Sequence, residues 1–176
     1  NFHSFEKDTD EVVKRAKDAG VRVIVNVGTS LKSSKQAVEL AHRFENMYAI
    51  VGIHPHHADK TDIEFEGELS ANWVEELEKI ARDEKVIGIG EIGLDYYSYK
   101  SNGVVENKLQ EEVFIEQIKL AHKLDLPLQI HNRHAGEDVI KVLEEHKNLL
   151  KGVPGMFHCF AATKEVLRKA LDMGFY

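Results

Sequence analysis

The stretch GIGEIGLDYYSYK (88–100) sets Glu91 inside an apolar run at 86–92, among Val86, Ile87, Ile89 and Ile92 and directly ahead of Gly93 and Asp95. A carboxylate in that setting is costly unless it has a partner, a proton or a metal. The run is strand length, and its near-continuous apolar character is that of a parallel strand covered by helices.

The same grammar repeats on both sides. VRVIVNV (21–27), MYAIVGI (47–53), LPLQIH (126–131) and GMFHCF (155–160) read as strands, with a further strand at 86–90. SSKQAVELAHRF (33–44) has helical spacing behind a serine cap, and NWVEELEKIARD (72–83) presents Trp73, Val74, Leu77, Ile80 and Ala81 on one face. Further helices are expected at about 108–124, at 136–146 and at 163–173, with DKTDIEFEGEL (59–69) and SYKSNGVVEN (98–107) as loops. Regular βα units favour a (β/α)8 barrel over a doubly wound open sheet, which would reverse its order through a longer crossover.

The fold class expected is therefore α/β, a TIM barrel of which residues 1–176 would form a partial domain spanning roughly strands two to six. EKDTDEVVKRAKDA (6–19) is an amphipathic helix with no strand ahead of it. DMGFY (172–176) ends a helix at Gly174 and opens what reads as another strand. Both edges are expected to be cut, and the start to be internal to a longer gene product or processed.

At 176 residues and 43% hydrophobic composition the chain suits one globular core. No apolar run reaches membrane-span length and no basic-then-apolar leader is present, so no membrane association is expected. A single cysteine, Cys159, excludes an internal disulfide framework and points to a reducing, cytoplasmic setting. Strand alternation turns it away from His158, which predicts a packing role. The net charge of −7 argues against a broad basic surface for polyanions. Bound cations could still supply local positive charge for a nucleic acid. No obligate protein partner is inferred.

The out-of-place polar residues collect at strand ends. Asn26 and Gly28 close the first strand, HPHH (54–57) follows the second, and Glu91, His131 and His158 end the next three. In a barrel these positions share the carboxyl-end face, where active sites lie. Each histidine alone reads as a hydrogen-bonded structural residue, whereas three metal-competent side chains at equivalent strand ends read as a metal site. Glu91 could instead pair with Arg133 or a histidine. His54 and His56 fit either an exposed turn beside Pro55 or a direct role. No HExxH pair, phosphate-binding glycine loop or GxSxG elbow occurs.

GIGEIGLDYY, GIHPHHA, LPLQIHNRHA and GMFHCF closely resemble the signature segments of the TatD family of metal-dependent deoxyribonucleases, amidohydrolase-like TIM barrels. The resemblance implies two divalent metal ions, Mg, Mn or Zn, with Glu91 as the bridging catalytic carboxylate and His131 and His158 as ligands. It implies that His54, His56 and Arg133 meet the substrate, with Asp95 and Tyr96 shaping the pocket wall. It further implies hydrolysis of DNA, single-stranded or at an end, as by an exonuclease. The family's HxH pair on the first strand and aspartate on the last have no counterpart here, and His3 matches the segment just after that pair. Ala161 and Ala162 stand where the family usually has a glycine-containing turn.

The chemistry agrees with those positions. Two cations about 3.5–4 Å apart can activate water and clamp a phosphoryl group. A carboxylate can reach both with separate oxygens, whereas a neutral imidazole uses one nitrogen for one ion. Arg133 shares the face of His131 and offers a planar fork for phosphate. The same ligand types also serve hydrolases of small amides, lactones or phosphoesters. A non-catalytic scaffold, with the strand ends in a closed hydrogen-bond network, would tolerate Glu91→Gln.

Overall fold

All five expected strands lie in one parallel sheet in the order of the chain, β1 (Ile24–Val27), β2 (Met47–Val51), β3 (Val86–Asp95), β4 (Leu128–Arg133) and β5 (Gly155–Phe157). The computed structural model describes residue 5 and residues 7–59, 71–100, 103 and 105–176. The unreversed order is that of an arc of a barrel and removes the doubly wound alternative. Right-handed crossovers that never reverse place every connecting helix on the same face of the sheet.

The helices are α1 (Thr9–Asp18), α2 (Leu31–His42), α3 (Trp73–Ala81), α4 (Asn107–Leu124), α5 (Gly136–Glu145) and α6 (Lys164–Asp172). Ser30 caps α2 through a reciprocal box with Ser33, so the helix begins two residues before the expected start. Thr163 caps α6 by accepting from the Val166 N–H. Leu77, Val113, Phe114, Ile118, Val139, Ile140 and Leu143 on the helices are buried with Ala49, Val51, Ile89, Ile92 and Ile130 on the strands. That layer is the core. On the opposite face, Val25 pairs with half-buried Tyr48 and Met156 with half-buried Gln129, and both Val25 and Met156 are exposed.

Two boundaries differ from expectation in ways that matter. β3 runs to Asp95, five residues past the expected end, because it keeps pairing with β4 as far as Asp95 opposite Arg133. β5 stops at Phe157, so His158 follows the strand. Cys159 takes φ +44 and is exposed, which overturns its expected packing role, since alternation no longer governs a residue beyond the ladder. The loop expected at 59–69 lies outside the described residues except for Asp59, as does His3. Within 98–107 the chain makes an antiparallel bridge between Tyr99 and Gly103. No helix among the described residues is long and apolar enough to cross a membrane.

Candidate metal centre

β3 changes register with β4 between Ile89 and Ile92, and Glu91 sits in that irregularity. Its N–H donates to the Gly28 carbonyl beyond β1. Two residues on, Gly93 lies opposite His131 at φ +137, and a side chain there would collide with the His131 carbonyl oxygen. Only glycine allows β3 to carry Glu91 that close to β4. His158 is held beside the middle of β4, next to His131, by its N–H donating to the Ile130 carbonyl at 3.1 Å.

The three side chains meet at one atom. Glu91 Oε1 lies 2.7 Å from His131 Nδ1 and 2.7 Å from His158 Nε2, with His54 Nε2 3.6 Å away. Behind His131, the fully buried Asp95 takes the other ring nitrogen, with Oδ2 3.0 Å from Nε2. His131 is thereby fixed in rotation, with Nδ1 facing Glu91. Donor atoms of Glu91, His131 and His158 all lie within 4.8 Å of one another, and so do those of His54, Asp95 and His131. Two overlapping nitrogen and oxygen clusters sharing one histidine fit a divalent ion.

The charges are set by this crowding. Burial pushes the Glu91 carboxyl up, but hydrogen bonds from His131 and His158 outweigh it and hold the group well below the usual carboxylate range. Asp95 is likewise raised by burial, yet His131 and the Tyr97 N–H bring it down to about 2. Burial disfavours a charged His131, while Asp95 and Glu91 stabilise it enough to raise it to about 9. His54 is lowered to about 3 by burial and by the neighbouring His131. At neutral pH the metal-free site thus holds two carboxylates, a charged His131 and an uncharged His54, a setting in which a bound cation would take the place of the His131 proton.

The remaining predicted residues separate. His54 points its Nε2 at Glu91 while its Nδ1 accepts from the His56 N–H across the short 3-10 turn Pro55–His57. His56 is buried, its Nε2 3.1 Å from Asp95 Oδ2 and its ring edge-on to Tyr99 at 4.4 Å. Arg133 is exposed, donates to the Tyr99 hydroxyl at 2.6 Å and lies 4.0 Å over the Tyr97 ring. Tyr96 is not brought to the cluster, because its hydroxyl donates to Asp138 of α5 at 2.8 Å.

Two buried glutamines of α4 escaped the sequence reading. Gln117 accepts from the Ile53 N–H at 2.7 Å and donates to the Ile53 carbonyl at 3.0 Å, clamping the residue before His54. Gln110 does the same for Asp95, at 2.8 and 3.0 Å. Both side chains replace a missing ladder partner where the backbone leaves the sheet. A signal existed, since both are polar positions within a helix stripe that also buries Val113, Phe114 and Ile118. Tyr99 carried no such signal in its loop-like setting.

A parallel sheet with carboxylate and imidazole side chains gathered at its carboxyl ends defines an α/β-barrel protein with a candidate metal centre. Residues 1–176 match the family model for TatD-related DNases, and the chain belongs to that family. It is 39% identical over 176 residues to the uncharacterized metal-dependent hydrolase YabD of Bacillus subtilis, covering all of this chain and 64% of that protein. It is 33% identical over 172 residues to the 3'-5' ssDNA/RNA exonuclease TatD of Shigella flexneri, covering 98% of this chain and 61% of that protein. The structure matches that of YJJV, a TatD homolog from Escherichia coli, with a TM-score of 0.83 at 27% identity, over 99% of this chain and 62% of that one. The chain therefore spans somewhat less than two thirds of the length of these relatives.

Proposed function

We propose that residues 1–176 belong to one barrel domain that hydrolyses DNA phosphodiester bonds with two divalent metal ions, as an exonuclease acting on single strands or DNA ends. The observation that carries this reading is the convergence of His131 Nδ1 and His158 Nε2 on one oxygen of Glu91, each at 2.7 Å. Glu91 would bridge, and His131 and His158 would each offer one nitrogen. Ions held there would supply an activated water near neutral pH and a sink for phosphoryl charge. The family and the exonuclease names of several relatives support nucleic acid as the substrate class. The single cysteine supports action in a reducing compartment such as the cytoplasm.

The chain's own residues have distinct tasks. Asp95 holds the His131 ring in its binding rotation, and Gln110 holds Asp95. His54, kept uncharged, places a nitrogen near Glu91 without adding repulsion. Arg133 presents an exposed guanidinium beside the cluster, suited to a phosphate oxygen pair.

The test is hydrolysis of a labelled single-stranded oligonucleotide by the full-length protein, with and without divalent metal, beside Glu91→Gln. Metal-dependent cleavage that is lost in the variant is expected. A metal-loaded protein that leaves DNA intact but turns over a small phosphoester, amide or lactone would overturn the substrate assignment.

A further inference from the structure

β3 and β4 end side by side, with Asp95 paired to Arg133, and an exposed aromatic side chain lies close beyond each, Tyr97 two residues past β3 and His134 directly past β4. The Tyr97 N–H donates to Asp95 Oδ1 at 2.9 Å, a local turn that fixes the second residue past β3. His134, just past β4, takes φ +57, a conformation histidine tolerates better than most residues. Its ring lies nearly parallel to that of Tyr97, the centroids 6.1 Å apart and the planes 18° from each other. The Arg133 guanidinium stands 4.0 Å over the same tyrosine ring and is pinned by the Tyr99 hydroxyl. Tyr97 remains 40% exposed, so this stack is not core packing.

The stack has a defined place. Arg133 is two residues beyond His131 on one strand, about 7 Å along it. On its other side, His134 borders a groove of about 540 Å³ that is also lined by Gly136, Asp138, Ala162, Thr163 and Val166. Flat exposed rings with a cation beside them are what single-stranded nucleic acid binders use, since every base has a π-face to stack.

We propose that Tyr97 and His134 form a nucleobase-stacking subsite, which holds the base of a nucleotide whose phosphate is met by Arg133 beside the Glu91 centre. The inference rests on the nucleic-acid reading above and adds to it the part of the substrate that is recognised. Stacking makes the subsite tolerant of base identity and intolerant of a missing base. Arg133 then serves two neighbours, charge for the phosphate and a stiff edge for the tyrosine.

The test compares a short single-stranded oligonucleotide with the same strand made abasic, in the full-length metal-loaded protein. Equilibrium binding is also read from 2-aminopurine quenching in a non-hydrolysable phosphorothioate strand. The wild type is expected to favour the base-bearing strand by about 10-fold in KM and in Kd. Tyr97→Leu should bring that ratio close to one, and Tyr97→Phe should keep it. His134→Ala should lower it and serves as the independent reading if Tyr97→Leu does not fold. A ratio near one in the wild type, or a ratio unchanged in both Tyr97→Leu and His134→Ala, overturns the subsite while leaving the nuclease reading intact. Failure of the wild type to bind either strand overturns both.

Discussion

Asp95 Oδ2 lies 3.0 Å from His131 Nε2, and the same imidazole turns its Nδ1 to Glu91 at 2.7 Å. A buried carboxylate thus sets the rotation of the histidine whose other nitrogen faces the candidate metal centre. The family resemblance implies a pocket-wall position for Asp95, and the structure shows it completely buried behind His131.

Removing that acceptor should loosen the centre while leaving Glu91, His131 and His158 in place. Asp95→Asn is expected to lower divalent-metal affinity about 10- to 100-fold, read by competition with a chelating dye. Unchanged affinity would show that His131 holds its rotation without Asp95.

The same pair predicts a pH response in the metal-free protein. His131 is raised from 6.5 to about 9, so its contribution is full below about pH 6.5 and is lost as pH rises through about 9. Asp95 is lowered from 3.8 to about 2, so its contribution is full above about pH 3.8 and is lost as pH falls through about 2. Thermal melting in chelator should therefore decline between pH 6.5 and 9, and His131→Asn should flatten that decline. A wild-type profile already flat over that interval would contradict the pairing.

Gln117 should matter to stability as well as to position. Gln117→Leu leaves the Ile53 N–H and carbonyl without their buried partner, at about 1–3 kcal/mol for each group. Urea unfolding should show the loss.

Arg133→Ala should raise KM for an oligonucleotide about 10-fold or more, the scale of a lost hydrogen bond to a charged group. Metal affinity should stay at the wild-type value, because no atom of Arg133 enters either ligand cluster. Metal loss comparable to that of Asp95→Asn would move Arg133 from substrate contact to site structure.

Periodicity and composition in this chain were sufficient for five parallel strands and their helices, because burial of apolar side chains imposes a repeat of two on strands and 3.6 on helices, and the polar interruptions placed Glu91, His131 and His158 toward the carboxyl ends of three of those strands. The residue types and their order also carried the resemblance to the TatD family. Tertiary structure alone decided which atoms meet. Only the β3–β4 register, carried past the expected strand end to Asp95 and Arg133, put Asp95 behind His131 and set Tyr97 beside Arg133. Only the helix packing delivered Gln110 and Gln117 to the backbone of the two site loops, and turned Tyr96 to Asp138 and away from the cluster. Polar recognition depends on distances of about 3 Å between groups far apart in the chain, and no periodic pattern encodes those.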